Sequence, residues 1–205
     1  MEFYQVVEKR RTVREFSPRA IPKEKVIRII KAGIKSPTYN HLREWDFILI
    51  HDTKTRLDII KTEKIAEKYN VEELQELFKN YDNTAKNMYI DALPKQKRMV
   101  LTAPELLVVV YKPKTQVAKS KCAYDLNCLA SVWCCIENIL LAMAEEDLFG
   151  VTFVPQYTGN LKKVLNIPAH LEVASIIPFG YREENAKYLK QKDVNINQKI
   201  HYNGW

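Results

Sequence analysis

The sequence has 205 residues, 46% apolar and 28% charged, which suits one domain with a substantial core. Lys and Arg number 32 against 25 for Asp and Glu, so anionic ligands are favoured, yet the aromatic residues are dispersed and no nucleic-acid signature is present. No continuous apolar run approaches the ~20 residues of a membrane span and the N-terminus does not open like a signal peptide; the expected setting is cytoplasmic, without membrane or nucleic-acid partners.

Phe3, Val6 and Val7 recur at helical spacing, predicting a short amphipathic helix over 2–10. Lys9-Arg10-Arg11-Thr12-Val13-Arg14 follows, with four cations and a hydroxyl in six residues. If extended, Arg10, Thr12 and Arg14 share a face; if helical, Arg10 and Arg14 meet at i,i+4. The stretch is either a solvated helix end or a cradle for an anion such as phosphate, which Arg recognises in bidentate fashion. Pro22 suits the first turn of a second helix carrying Val26, Ile29, Ile30 and Ile34, stopped at Ser36-Pro37.

Residues 38–45 read as a polar loop and 46–51 as a strand. A charged helical pattern covers 53–80 with a break near Asn70, and 81–102 has no clear period. Leu106–Tyr111 is an unbroken apolar run, as in a strand covered on both faces. Residues 123–146 form the longest helix, apolar around most of its circumference and so requiring two packing partners, one of which could be a second subunit. Val151–Pro155 is predicted as a strand, 160–165 as a short helix and Val173–Tyr181 as a last strand. The basic tail ends in His201-Tyr202-Asn203-Gly204-Trp205, an aromatic cluster expected to dock.

The four cysteines, Cys122, Cys128, Cys134 and Cys135, lie within helical pattern and are expected as reduced core residues; no C-x-x-C pair or neighbouring His suggests a metal. The five glycines are scattered, which excludes a Rossmann fingerprint or a P-loop. A bound phosphate would therefore be held mainly by side chains.

In order along the chain, several motifs resemble the FMN-dependent nitroreductase family. Arg10-Arg11-Thr12-Val13-Arg14-Glu15-Phe16 with Ile21-Pro22 is similar to its R-R-S-V-R-x-F…I-P opening. Ser36-Pro37-Thr38 with Trp45-Asp46-Phe47 resembles its A-P-S…Q-P-W-x-F segment. Ala103-Pro104, the Ile136–Ala142 stretch, Phe179-Gly180-Tyr181 and the basic closing Lys190-x-Lys192 complete the set. The chain departs from the family pattern at His41, at Arg43-Glu44, at Asp147-Leu148-Phe149-Gly150, and at Gln156 after Pro155.

The resemblance implies an α+β fold with three α/β/α layers and a mixed, mostly antiparallel sheet. It implies one domain over 1–205 and a homodimer with FMN at the interface, residues 182–205 docking on the partner. By position, Arg10 and Thr12 would hold the FMN phosphate and ribityl chain, with Arg11 among the cofactor-binding residues and Lys190 and Lys192 approaching from the tail. Arg14 would lie near the flavin N1–O2 edge. Pro37, Thr38, Tyr39, Asn40 and His41 would contact flavin from the other subunit, and Gln96, Pro155 and Gln156 would add contacts. No catalytic side chain is assigned. The implied activity passes hydride from NADH or NADPH to flavin and on to a nitroaromatic or quinone by ping-pong. Reductive dehalogenation, enoate reduction or flavin destruction is the alternative, and a non-enzymatic binding module is more distant.

Overall fold

The computed structural model describes residues 1–66 and 68–205. Its centre is β2 (Glu105–Tyr111), buried on both faces. Antiparallel neighbours give the order β1-β2-β4-β3, with β1 at Trp45–Leu49, β3 at Phe149–Gly150 and β4 at Glu172–Gly180. Phe47 faces Val109 across the first ladder and Val108 faces Ile176 across the second. The register shifts after Val109, where β4 bulges by one residue.

Alternation along β2 divides the core. Leu106, Val108 and Val110 join Ile59 and Ile60 of α3 (Thr53–Thr62), Val100 of α6 (Gln96–Thr102) and Leu161 of α8 (Thr158–Val164). Leu107, Val109 and Tyr111 face Val26 and Ile29 of α2 (Lys23–Ile34) and Val132, Ile136 and Ile139 of α7 (Asn127–Glu145). A helix–sheet–helix sandwich results, because a strand apolar on both faces must be covered twice. Trp45 belongs to the second layer's core, 9% exposed.

By length and apolarity, Ala123–Glu145 is sufficient to cross a membrane. Counting continuous apolar runs misses this, since a helix spreads its apolar residues around a 3.6-residue turn. Here Val132, Ile136 and Ile139 are wholly buried in the core. Two of the four cysteines expected in the core are not there: Cys135 is buried, whereas Cys134 and Cys122 are exposed. Adjacent helix positions point about 100° apart, so Cys134 turns outward where Cys135 turns in.

The unplaced stretch holds α5 (Asn83–Ala92), a 3-10 turn at Leu93–Lys95 containing Pro94, and then α6. Asn70 caps α4 (Val71–Leu77), placing the expected break. The strand expected over Val151–Pro155 is reduced to a bridge between Phe153 and Ile176. Those two residues exchange both backbone hydrogen bonds at 2.8 Å, and Val151 N–H donates to Pro178 O at 3.3 Å. Pro178 has no N–H to return, so the ladder fails at that pair.

The first helix, α1 (Phe3–Lys9), forms as expected but buries none of its residues; Phe3, Tyr4 and Val7 stay exposed. In the tail, His201 stacks on Trp205 with ring centroids 4.4 Å apart, and Tyr202 and Trp205 face solvent.

Candidate functional site

The basic stretch leaves α1 at Arg10, whose N–H closes the helix on Val6 O and whose backbone is already extended. Thr12 forms a parallel bridge with Gly150 of β3, and Phe16 an antiparallel one with Arg182, beyond β4. Glu183 N–H donates to Glu15 O at 3.0 Å, and Ser17 N–H to Tyr181 O at 2.9 Å. Val13 and Phe16, 2% and 5% exposed, anchor the segment in the core. Tight packing at Gly180 completes the seat: a Cβ there would lie 2.7 Å from Pro104 Cδ and 3.3 Å from Phe16 Cβ.

So held, Arg11, Thr12 and Arg14 form one side of a recess of about 560 Å³. Asn83, Thr84 and Asn87 of α5 also line it, as do Lys190, Lys192 and Asp193 of the tail. Arg11 donates from Nη2 to Leu189 O at 2.8 Å, and its guanidinium lies 5.5 Å from the centre of the Tyr188 ring, fixing where the tail passes. Lys190 is otherwise solvated, 3.0 Å from Asp193.

In the wall of the recess Arg14 is 11% exposed, with Nη1 3.5 Å from Asp91 Oδ2. Burial lowers its pKa, opposed by the Asp91 charge. Lys95 Nζ lies 2.5 Å from Asp91 Oδ1 and 2.8 Å from Glu15 Oε2. Burial works against the Lys95 ammonium, yet its hydrogen bonds to Asp91 and Glu15 prevail and raise its pKa.

Arg10 turns into a neighbouring depression of about 250 Å³, which shares Arg11 and Thr12 with the recess and adds Trp133 and Glu137. Its Nε lies 3.4 Å from Glu137 Oε1. Of the arginines expected to share a face with Thr12, Arg14 thus lines the larger recess and Arg10 the smaller depression, while Arg11 and Thr12 line both.

The loop after α2 forms a third hollow, of about 330 Å³, lined by Pro37, Thr38 and Tyr39 with Asn127, Ser131 and Cys134 of α7. Asn40, His41 and Arg43 all have left-handed backbone, with φ of 51°, 57° and 50°. Three such residues in four positions mark a strained loop, and strain of this kind persists only where surroundings over-determine it. Tyr39 N–H donates to Ser131 Oγ at 2.9 Å, the Tyr39 and Tyr124 hydroxyls are 2.8 Å apart, and Arg43 Nε donates to Ile34 O at 3.1 Å.

None of Gln96, Pro155 and Gln156 lines these three hollows. Gln96 opens α6 half-buried, Pro155 is buried and Gln156 is exposed. The N–H groups of Gln156 and Tyr157, just ahead of α8, donate to the buried Glu63 carboxylate at 2.7 and 3.3 Å. The residues missed in the sequence are Asn83, Asn87, Asp91 and Lys95. Asn83, Asn87 and Asp91 recur at four-residue spacing along α5, with Lys95 continuing the spacing into the 3-10 turn, and that polar stripe was the available signal.

A model of the nitroreductase family matches residues 7–181. The chain is 29% identical over 199 residues to the iodotyrosine deiodinase of Haliscomenobacter hydrossis, covering 94% of this chain and 85% of that one. It is 28% identical over 203 residues to the iodotyrosine deiodinase of Danio rerio, covering 94% of this chain but only 65% of the longer relative. Among solved structures, oxidized iodotyrosine deiodinase bound to FMN and 3-iodo-L-tyrosine superposes with a TM-score of 0.75 at 23% identity, over the full length of both chains.

Proposed function

The chain belongs to the nitroreductase family, and on that premise we propose that it is an FMN-dependent oxidoreductase. It would draw electrons from NADH or NADPH and deliver them to a small aromatic or quinonoid electrophile. The carrying observation is the convergence of Arg11, Thr12, Arg14, Lys190 and Lys192 on one recess.

The donor set fits FMN. A phosphate dianion without a glycine-rich loop requires side-chain cations and a hydroxyl, and the recess supplies both. Its volume of about 560 Å³ falls within the range of small-molecule sites. Bound FMN supplies a centre that takes up hydride and yields electrons to a second substrate, so no separate nucleotide domain is needed. Arg11 and the tail lysines would neutralise the phosphate, and Thr12 would offer it a hydroxyl. Arg14, desolvated and paired with Asp91, would supply positive charge to a flavin that gains negative charge on reduction. Pro37, Thr38 and Tyr39 line a hollow apart from the recess, which supports a homodimer in which each loop would complete the partner's site. The exposed faces of α1 and the aromatic tail would be covered in the same assembly.

Reductive dehalogenation is the second reading, favoured by the likeness to iodotyrosine deiodinases. In that reaction two electrons and a proton enter the substrate as a carbon–halogen bond breaks and halide leaves. The purified protein is expected to be yellow, absorbing near ~450 nm, and to bleach anaerobically with NADH or NADPH. Reoxidation by a nitroaromatic or quinone without halide release supports the first reading, and iodide released from 3-iodo-L-tyrosine supports the second. A colourless protein that does not take up added FMN overturns both.

A further inference from the structure

We propose that Asp91 is a positioning residue for Arg14 and sets how much positive charge the recess presents to its ligand. The inference rests on the FMN reading above and names a residue that reading does not use. Asp91 bridges two cations, with Oδ2 3.5 Å from Arg14 Nη1 and Oδ1 2.5 Å from Lys95 Nζ. Lys95 reaches on to Glu15 at 2.8 Å, and Glu15 is the chain neighbour of Arg14. Arg14, Asp91, Lys95 and Glu15 are only 11%, 19%, 23% and 23% exposed, so solvent screens the group weakly.

The arrangement does more than neutralise a buried ion. Lys95 has a second partner in Glu15, whereas Asp91 is the acceptor that Arg14 engages among the described residues. One guanidinium edge is thereby fixed against α5 while the remaining donors stay available to a ligand. Two cations and two carboxylates also cancel, so the recess is held below the charge its arginines would give it. Removing the Asp91 charge while retaining its oxygen favours the more electron-rich form of a bound flavin. Removing the oxygen as well releases Arg14.

The test uses the purified full chain reconstituted with FMN, comparing wild type with Asp91→Asn, Asp91→Glu, Asp91→Ala and Lys95→Gln. FMN affinity is read by fluorescence titration and midpoint potential by equilibration with a reference dye. Asp91→Asn is expected to bind reduced relative to oxidised FMN about tenfold more tightly, a rise of ~30 mV for a two-electron couple. Lys95→Gln, which removes a cation from the same group, is expected to shift the potential the opposite way. Asp91→Glu should stay within about threefold of wild type, and Asp91→Ala should lose about tenfold or more in FMN affinity. If Asp91→Asn does not fold, the sign of the Lys95→Gln shift decides. Potentials unchanged in the folded charge variants, or a glutamate that behaves like the asparagine, overturn the inference. A wild type that does not bind FMN overturns the functional reading with it; a wild type that binds FMN while the potentials stay fixed removes this inference alone.

Discussion

Replacing Gly180 by Ala tests whether the basic segment is held by close packing against β4. In an open strand the change would stabilise by ~0.5–1 kcal/mol, because glycine loses more chain entropy on folding. Here the new Cβ meets Pro104 Cδ at 2.7 Å, Pro104 Cγ at 2.9 Å and Phe16 Cβ at 3.3 Å. Proline's ring cannot rotate away, and Phe16 is 5% exposed with no free space to enter. Overpacking costs ~1–3 kcal/mol, and contacts as close as 2.7 Å place this site in the upper part of that range, ~2–3 kcal/mol, so the net loss is about 1–2.5 kcal/mol. For a chain of this size that lowers Tm by ~2–10 °C. Because Phe16 lies two residues from Arg14, its displacement should also weaken FMN retention by about threefold or more. Differential scanning calorimetry and fluorescence titration measure the two effects. A Tm equal to or above wild type would refute the packing argument.

Two further substitutions probe features outside the recess. Arg56 is 5% exposed and donates to the carbonyls of Ile50, Val100, Leu101 and Ala103, the last at 2.6 Å. Arg56→Met keeps most of the volume but leaves buried acceptors unpaired, and should cost at least ~3 kcal/mol in urea unfolding; a loss below ~1 kcal/mol contradicts that accounting. Glu146 accepts from Arg28 at 2.6 and 3.1 Å and pairs with Lys25 at 3.2 Å. The Arg28 hydrogen bond, against burial and with help from Lys25, lowers its pKa below the ordinary 4.5. Its stabilising contribution is therefore complete above pH 4.5 and is lost as pH falls through the depressed folded value. Glu146→Gln should show a shallower decline in urea midpoint as pH falls below 4.5, and parallel profiles would count against the pair.

Much of the architecture was legible because burial leaves a strong pattern. Leu106–Tyr111 reads as a doubly covered strand since both faces of β2 meet helices, and the apolar circumference of α7 follows from its place against the sheet. The stretch 81–102 was opaque for a matching reason. No residue of α5 is buried, its aromatic side packs locally as Tyr89 stacks on Phe78, and Pro94 breaks the period before α6. The recess was half legible. Arg11, Thr12, Arg14 and the tail lysines, singled out from type and order, all line it, whereas Asn83, Thr84 and Asn87 lie in the stretch that lacks an apolar period. The turn of Arg10 toward Glu137 depends on where α1 ends, a boundary that periodicity fixes poorly.

The seams that seat residues 12–17 against Gly150, Tyr181 and Glu183, and Arg11 against Leu189, have a consequence for biosynthesis. Residues made early can find these partners only after some 140–180 further residues have been added. At ordinary translation rates of ~5–20 residues per second, that delay is roughly 7–36 s. Throughout that interval the basic segment is an uncommitted cationic strand on the nascent chain. Closure of the recess is therefore a late event of folding, deferred until the last strand of the sheet and the tail beyond it have emerged.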